Sequence, residues 1–305
     1  MKVLLTGAGG FIGRHVLDAL DKQGIETIAV GRRKPDGCRD SAFERADLLE
    51  IDDFDAFAAK LGATHLLHLA WYAEHGKYWN SPLNLRWCEA TTRLVEAFCK
   101  AGGRHVVMAG TCAEYDWSYG YCREAETPIN PATLYGSAKD ATRRLAMAVC
   151  REYDVPCAWG RIFLAYGAGE APQRLVPSLI EIFQDKRSAF AVDQDCFRDF
   201  LHVADVASAF TTLLTEGASG VYNISSGEPI RLADVVRWIA GILDGDAQRV
   251  LRLANGRPGQ PLLLVGENLK LRELGWRSAI TMQQGLRELI TRNTHGHAHM
   301  PRMFG

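Results

Sequence analysis

Tyr135 and Lys139 stand four residues apart in Tyr-Gly-Ser-Ala-Lys, opening a long helical segment after the loop Thr127-Pro128-Ile129-Asn130-Pro131. That spacing puts both side chains on one helix face, one turn apart. A free phenol titrates near a pH of about 10, too high for acid–base work near neutrality. A neighbouring ammonium, joined by the positive ring of an oxidised nicotinamide, favours phenolate and lowers that value. The pair is therefore suited to moving a proton on or off an alcohol oxygen. Alone it is a common pattern, and its weight comes from what precedes it.

What precedes it is Thr6-Gly7-Ala8-Gly9-Gly10-Phe11-Ile12-Gly13, between an apolar run and an amphipathic stretch. Backbone approaches a diphosphate only where side chains are missing, and a helix amino end offers free N–H groups and partial positive charge. Gly7, Gly10 and Gly13 have the spacing for this, and Phe11 and Ile12 lie in the first helical turn. The strand–turn–helix context makes a dinucleotide site the expectation over a purely structural turn. Leu69 and Ala70, ending another strand, are placed beside the same cofactor. The second strand ends Val30-Gly31-Arg32-Arg33, with no acid until Asp36. An arginine fork there suits a 2′-phosphate better than a pair of ribose hydroxyls, so NADP(H) is expected over NAD(H). The plain alternative is two solvated surface arginines. Asp47 and Leu48, after a further short strand, are expected near the adenine.

The elements that must position these groups alternate over the first two-thirds of the chain. Val3–Thr6, Ile25–Val30, Thr64–Leu69, His105–Ala109 and Cys157–Phe163 read as buried strands, each followed by a helix-length amphipathic segment. Continuous apolar strands separated by helices imply a parallel sheet covered on both faces. After about residue 165, loops marked by Gly167, Gly169, Pro172 and Pro177 suggest a smaller lobe. The chain has 305 residues, 47% hydrophobic and 23% charged, within the ordinary range for a folded enzyme. A net charge of −1 argues against a nucleic-acid partner, so an anion must be gripped by local arginines. No apolar run reaches membrane-spanning length, and no signal peptide is expected before the first strand. Eight cysteines without CxxC spacing read as free thiols of a cytoplasmic protein. His295, His297 and His299 alternate with Gly and Ala near the end, where a frayed terminus is the expectation over a metal site.

At these residues the chain resembles the extended short-chain dehydrogenase/reductase family, the nucleotide-sugar epimerases, dehydratases and reductases. The resemblance runs from residue 1 to about 292 and rests on six motifs in family order. These are Thr6–Gly13, Ala109–Tyr115, Tyr135–Lys139, Arg198–Val203 with Asp205-Val206-Ala207, Tyr222–Gly227, and Arg257-Pro-Gly-Gln260. It implies an α/β fold: a Rossmann-type doubly wound parallel sheet with a smaller α/β C-terminal substrate lobe. Residues 1–165 with about 197–226 would form the dinucleotide domain, about 166–196 with 227–292 the lobe, and 293–305 a tail. It implies Thr111 as a third catalytic residue, bonding the reacting sugar oxygen against Tyr135. It places Arg198, Arg257 and Arg174 on the substrate, a nucleoside-diphosphate sugar. Asp199 and His202 are expected to tie the lobes together. A homodimer through the segments 84–100 and 135–153 is expected by analogy.

Departures from the family narrow the chemistry. Sugar 4,6-dehydratases follow the catalytic Thr with Asp-Glu, whereas Cys112 and Ala113 stand here, so elimination of water lacks its acid and base. Cys112 is expected to be a small filler. Trp87 replaces a helix asparagine, with Asn84 a turn earlier as a candidate substitute; Gln260 replaces an acid. The leading expectation is an NADPH-dependent reductase of a 4-keto-6-deoxy sugar, with Tyr135 as proton donor and Lys139 on the nicotinamide ribose. The alternative is an NAD-dependent 4-epimerase. A non-catalytic dinucleotide sensor is the remote third reading, disfavoured because Thr111, Tyr135 and Lys139 are all kept. Trp71, Tyr72, Tyr78 and Trp79 crowd one loop and could line the sugar pocket or merely pack it.

Overall fold

The computed structural model describes residues 1–39, 42–253 and 261–295. The first part of the chain runs β1 (Lys2–Thr6), α1 (Phe11–Lys22), β2 (Glu26–Gly31), β3 (Phe43–Arg45), α2 (Phe54–Leu61), β4 (His65–His68), α3 (Leu83–Lys100) and β5 (His105–Thr111). It continues with β6 (Tyr121–Cys122), α4 (Leu134–Glu152), β7 (Cys157–Ile162), β8 (Leu164–Tyr166), α5 (Leu175–Phe183), β9 (Phe197–Arg198) and β10 (Phe200–His202). The remainder is α6 (Val203–Thr215), β11 (Gly220–Ile224), β12 (Ile230–Arg231), α7 (Leu232–Ile242), α8 (Gln248–Leu251), β13 (Leu263–Gly266), α9 (Leu269–Glu273) and α10 (Met282–His295).

Seven parallel strands form the main sheet in the order β11-β7-β5-β4-β1-β2-β3. The sheet is sealed on both sides, which is why every residue of β5 is buried. On one face Val16 and Leu20 of α1 and Val206, Phe210 and Leu213 of α6 pack together. On the other, Phe54 of α2, Leu94 and Phe98 of α3 and Ala146 of α4 close the core. A third apolar cluster joins α5, α7, α8 and α10 around Leu179, Ile182, Val236 and Leu286. A four-stranded sheet, β12-β9-β13-β6, and the parallel pair β10-β8 connect this cluster to the main sheet. The doubly wound sheet expected from the alternating pattern is thus the observed one.

Local chemistry sets the helix starts. Asp53 Oδ1 accepts from Ala56 N at 2.9 Å to cap α2, and Thr133 Oγ1 accepts from Gly136 N at 3.2 Å to cap α4. Among the described residues no helix is long and apolar enough to cross a membrane. All eight cysteines are free thiols, and no group of His, Cys, Asp or Glu among the described residues could hold a metal. His297 and His299 lie outside the described residues.

Candidate active site

The glycine turn joins the C-terminal end of β1 to α1. Gly7 has φ of +74°, and a Cβ there would lie 2.7 Å from Ala70 N. A Cβ on Gly13 would lie 2.0 Å from Gly7 O, so the helix can begin this close to the strand only without side chains. The turn is tied to the end of β4, because Leu69 N donates to Thr6 O at 3.2 Å and Ala70 N to Thr6 Oγ1 at 3.3 Å. Gly10 caps α1 without a side-chain bond, and no acid stands in the first turn. The amino end of α1, with the N–H groups of Phe11 and Ile12, is therefore available to an anion, and these residues fit the diphosphate of a dinucleotide.

At the far end of the turn Arg32 and Arg33 are exposed. Arg32 Nη1 approaches Asp47 Oδ2 at 4.0 Å with 80% of its side chain in solvent, a contact too long and wet to immobilise it. Asp47 also accepts from Leu49 N at 3.1 Å. Leu48 is buried in the core beside Leu4 and Val30, so only its backbone can face a ligand. Behind the turn, His68 Nδ1 bonds Thr6 Oγ1 at 2.8 Å and its Nε2 bonds Thr91 Oγ1 at 3.0 Å. Burial, with a smaller push from Lys139, pulls His68 down to about 3, so it is a neutral structural link.

Thr111, Tyr135 and Lys139 come together where β5 ends. Helix α4 approaches the turn Cys112–Glu114 through Gly136, where a Cβ would meet Ala113 O at 2.3 Å. The Thr111 hydroxyl accepts from Ala113 N at 3.2 Å. Burial raises the Tyr135 phenol above its ordinary value, the nearby Thr111 hydroxyl opposes this, and Tyr78, Cys112 and Glu114 add to the rise. In the protein by itself burial sets the direction at Tyr135. Lys139 Nζ donates instead to Ala109 O at 2.9 Å and lies 3.9 Å from the Trp71 ring centroid. Lys139 is itself pulled down to about 7 by burial, with Glu114 partly opposing. Desolvation outweighs the charge–charge effect, leaving a protonated phenol beside a lysine that titrates near neutrality.

Glu114 has no exposed surface, yet it holds the site from behind. Its Oε1 accepts from Thr111 N at 2.9 Å and Trp159 Nε1 at 2.9 Å, while Oε2 accepts from Arg161 Nε at 2.7 Å. The Thr-x-x-Glu pattern of a capping box was the signal for it in the sequence. Cys112 is a buried filler packed with Tyr115, Cys122 and Phe163, and burial pushes its thiol well up. Asn84, a turn before Trp87, ties the aromatic loop to α3. It is wholly buried and bonds Trp71 Nε1 at 2.8 Å, Tyr78 O at 2.7 Å and Ser81 O at 2.9 Å.

A cavity of about 1000 Å³ opens beside this cluster, lined by Trp79, Trp117, Thr133 and Phe190 and reaching Arg198. Trp79 stacks on Tyr78 with centroids 4.5 Å apart and meets the Tyr135 ring edge-on at 5.8 Å. The crowded aromatic loop therefore both packs and lines. Arg198 is buried, its Nη1 donating to Phe197 O at 2.8 Å. Arg174 precedes α5, between the lining residues Gln173 and Leu175, and its charge partly opposes the burial that raises the Tyr78 phenol. Arg257 and Gln260 lie outside the described residues. Asp199 and His202 are joints: Asp199 accepts from Ser226 N at 2.7 Å, Gly227 N at 3.0 Å and Gly266 N at 3.2 Å, and His202 Nδ1 caps α6 through Ala204 N at 3.3 Å.

Known proteins share this layout. The chain is 26% identical, over 94% of its length, to a trifunctional UDP-glucose 4,6-dehydratase/UDP-4-keto-6-deoxy-D-glucose 3,5-epimerase/UDP-4-keto-L-rhamnose-reductase of Arabidopsis thaliana. It spans 46% of that relative, about half its length. It is 25% identical to a UDP-glucose 4-epimerase of Streptomyces lividans, covering 90% of this chain and 91% of the relative. Among solved structures, MoeE5 in complex with UDP-glucose and NAD superposes with a TM-score of 0.83 at 26% identity, covering 98% of this chain and 100% of the other. Residues 3–225 match the NAD dependent epimerase/dehydratase family. With its glycine turn, its Thr–Tyr–Lys cluster and its seven-stranded parallel sheet, the chain belongs to that family of nucleotide-sugar enzymes.

Proposed function

We propose that this protein is an NADPH-dependent reductase of a nucleoside-diphosphate 4-keto-6-deoxy sugar. The observation that carries the reading is the place of Tyr135 beside the cavity, its ring meeting the lining Trp79 edge-on at 5.8 Å, with burial favouring the protonated phenol. A reduction needs a proton donor at the new alcohol, and a neutral phenol is one. Cys112 and Ala113 supply no carboxylic acid for elimination of water. Arg32 and Arg33, exposed at the end of β2, suit a 2′-phosphate.

NADPH, when bound, supplies the hydride. Thr111 donates to the C4 oxygen and holds it against Tyr135, and Tyr135 gives up its proton as that oxygen becomes an alkoxide. Lys139 holds the nicotinamide ribose and returns positive charge to the emptied phenol. Arg198, with Arg174 and Arg257, grips the diphosphate, so residues 166–196 and 227–292 form the nucleotide-sugar lobe and the remainder through 226 the dinucleotide domain. The free thiols suit a reducing cytoplasm. Exposed Leu85 on α3 and Leu145 on α4 suit a homodimer through those helices.

The test is to identify the dinucleotide released from purified protein, then to mix the protein with NADPH and dTDP-4-keto-6-deoxyglucose. Consumption of NADPH with formation of the 4-hydroxy sugar supports the reading. Tightly bound NAD without NADPH consumption overturns it. That outcome favours a 4-epimerase.

A further inference from the structure

The surroundings of the Lys139 ammonium are set by residues outside the Thr–Tyr–Lys pattern. Its Nζ donates to Ala109 O at 2.9 Å and lies 3.9 Å from the centroid of the Trp71 ring. That distance is well inside the range in which an aromatic face attracts a cation. The indole is itself fixed in plane and place. Trp71 Nε1 donates to Asn84 Oδ1 at 2.8 Å, and Asn84 spends both amide hydrogens on Tyr78 O at 2.7 Å and Ser81 O at 2.9 Å. Trp87 backs the ring, with centroids 6.1 Å apart and planes 31° from parallel.

We infer that Trp71 is the positioning residue of the active-site lysine, its fixed indole face holding the Lys139 ammonium charged and aimed at the cofactor side of the cluster. The Trp159 ring is 2.0 Å farther away, its centroid 5.9 Å from Nζ, and few other groups compensate that charge. Glu114, across the Cys112–Glu114 turn, is already bonded to Arg161 at 2.7 Å and lies 4.0 Å from Arg143. His68 on β4 is neutral, and Tyr135 on the same helix is a neutral phenol. The carbonyl takes one of the three ammonium hydrogens and the ring face accommodates a second, which leaves a donor for a ribose hydroxyl. An aliphatic side chain in place of Trp71 removes the favourable face and keeps the burial, so the charged form weakens.

The experiment measures the affinity of the dinucleotide, NAD and NADP each, by titration calorimetry from about pH 5.5 to 9, in the wild type, Trp71→Phe and Trp71→Met. Melting midpoints check that each variant is folded. Wild type and Trp71→Phe should lose affinity around the same pH, because both present an aromatic face. Trp71→Met should lose it about one unit lower, with Kd near pH 7.5 raised about tenfold, and the pH profile of kcat should move with it. A folded Trp71→Met with the wild-type midpoint overturns the inference, as does Trp71→Phe shifting as far as Trp71→Met. If Trp71→Met fails to fold, Asn84→Ala carries the test by leaving the ring present but unlocked. A downward shift smaller than one unit supports the inference, and an unmoved midpoint overturns it. The readout is cofactor binding, so it stands whether the sugar is reduced or epimerised.

Discussion

The backbone N–H of Thr111 is held by the side chain of Glu114, three residues on, at 2.9 Å. The same carboxylate neutralises Arg161, whose side chain is only 2% exposed. The reacting end of β5 is thus fixed by an anion that never meets substrate.

Removing that anion should separate position from charge. Glu114→Ala leaves Arg161 buried without a counter-charge and should lower stability by about 3–5 kcal/mol. Glu114→Gln keeps an oxygen for Thr111 N and should retain more kcat than Glu114→Ala, though it too is destabilised. Denaturant melts and kcat on each variant check this; equal kcat in the two would show that Thr111 does not depend on the bond.

Tyr135→Phe deletes the proton donor and keeps the ring packed on Tyr78, 4.8 Å between centroids. It should lower kcat by about 10²–10⁴-fold, with cofactor affinity nearly unchanged. Thr111→Ala should cost about tenfold to a hundredfold in kcat, the effect of one hydrogen bond at a reacting oxygen. Steady-state kinetics with direct cofactor titration separate the two effects.

Arg32→Ala combined with Arg33→Ala should weaken NADP(H) by about tenfold to a hundredfold and leave NAD(H) within a few-fold, since only the former carries the 2′-phosphate. Equal losses for both dinucleotides would mean that the arginines act on the shared adenosine or not at all.

Glu170 predicts a pH effect on stability. Burial raises its carboxyl to about 8, with Arg174 partly opposing, and Oε2 has no hydrogen-bond partner. The folded value lies above the unfolded one, so the folded state binds more protons and stability falls as pH rises from about 4.5 to 8. Glu170→Gln should therefore raise the melting temperature at pH 9 and change it little at pH 4.5. The same shift at both pH values would count against an ionising carboxylate there.

Much of the site was legible because it is local. The glycine turn and the one-turn spacing of Tyr135 and Lys139 each lie within eight residues; the Thr111-x-x-Glu114 box is equally local and shows its role only in the structure. The strands were legible because burial on both faces leaves continuous apolar runs; their ends moved by a residue or two, as where β2 reaches Gly31 and β5 extends to Thr111. What could not be read joins distant residues. Trp71 over Lys139, Glu114 with Arg161 and Asn84 with Trp71 each need the folded chain to meet. The burial that raises the Tyr135 phenol is likewise not visible in spacing, because it is a property of the whole packed sheet.

The Asp199 carboxylate gathers two separate stretches of chain, at Ser226-Gly227 and at Gly266. Neither of them belongs to the segment 187–195 that walls the cavity through Phe190, Ala191, Val192 and Asp193. Substitutions at the half-buried Phe190, Ala191 and Asp193 would reshape the cavity and leave the Asp199 bonds in place, whereas Val192 is anchored in the core of the third apolar cluster. The proposed sugar site would then vary independently of that hub.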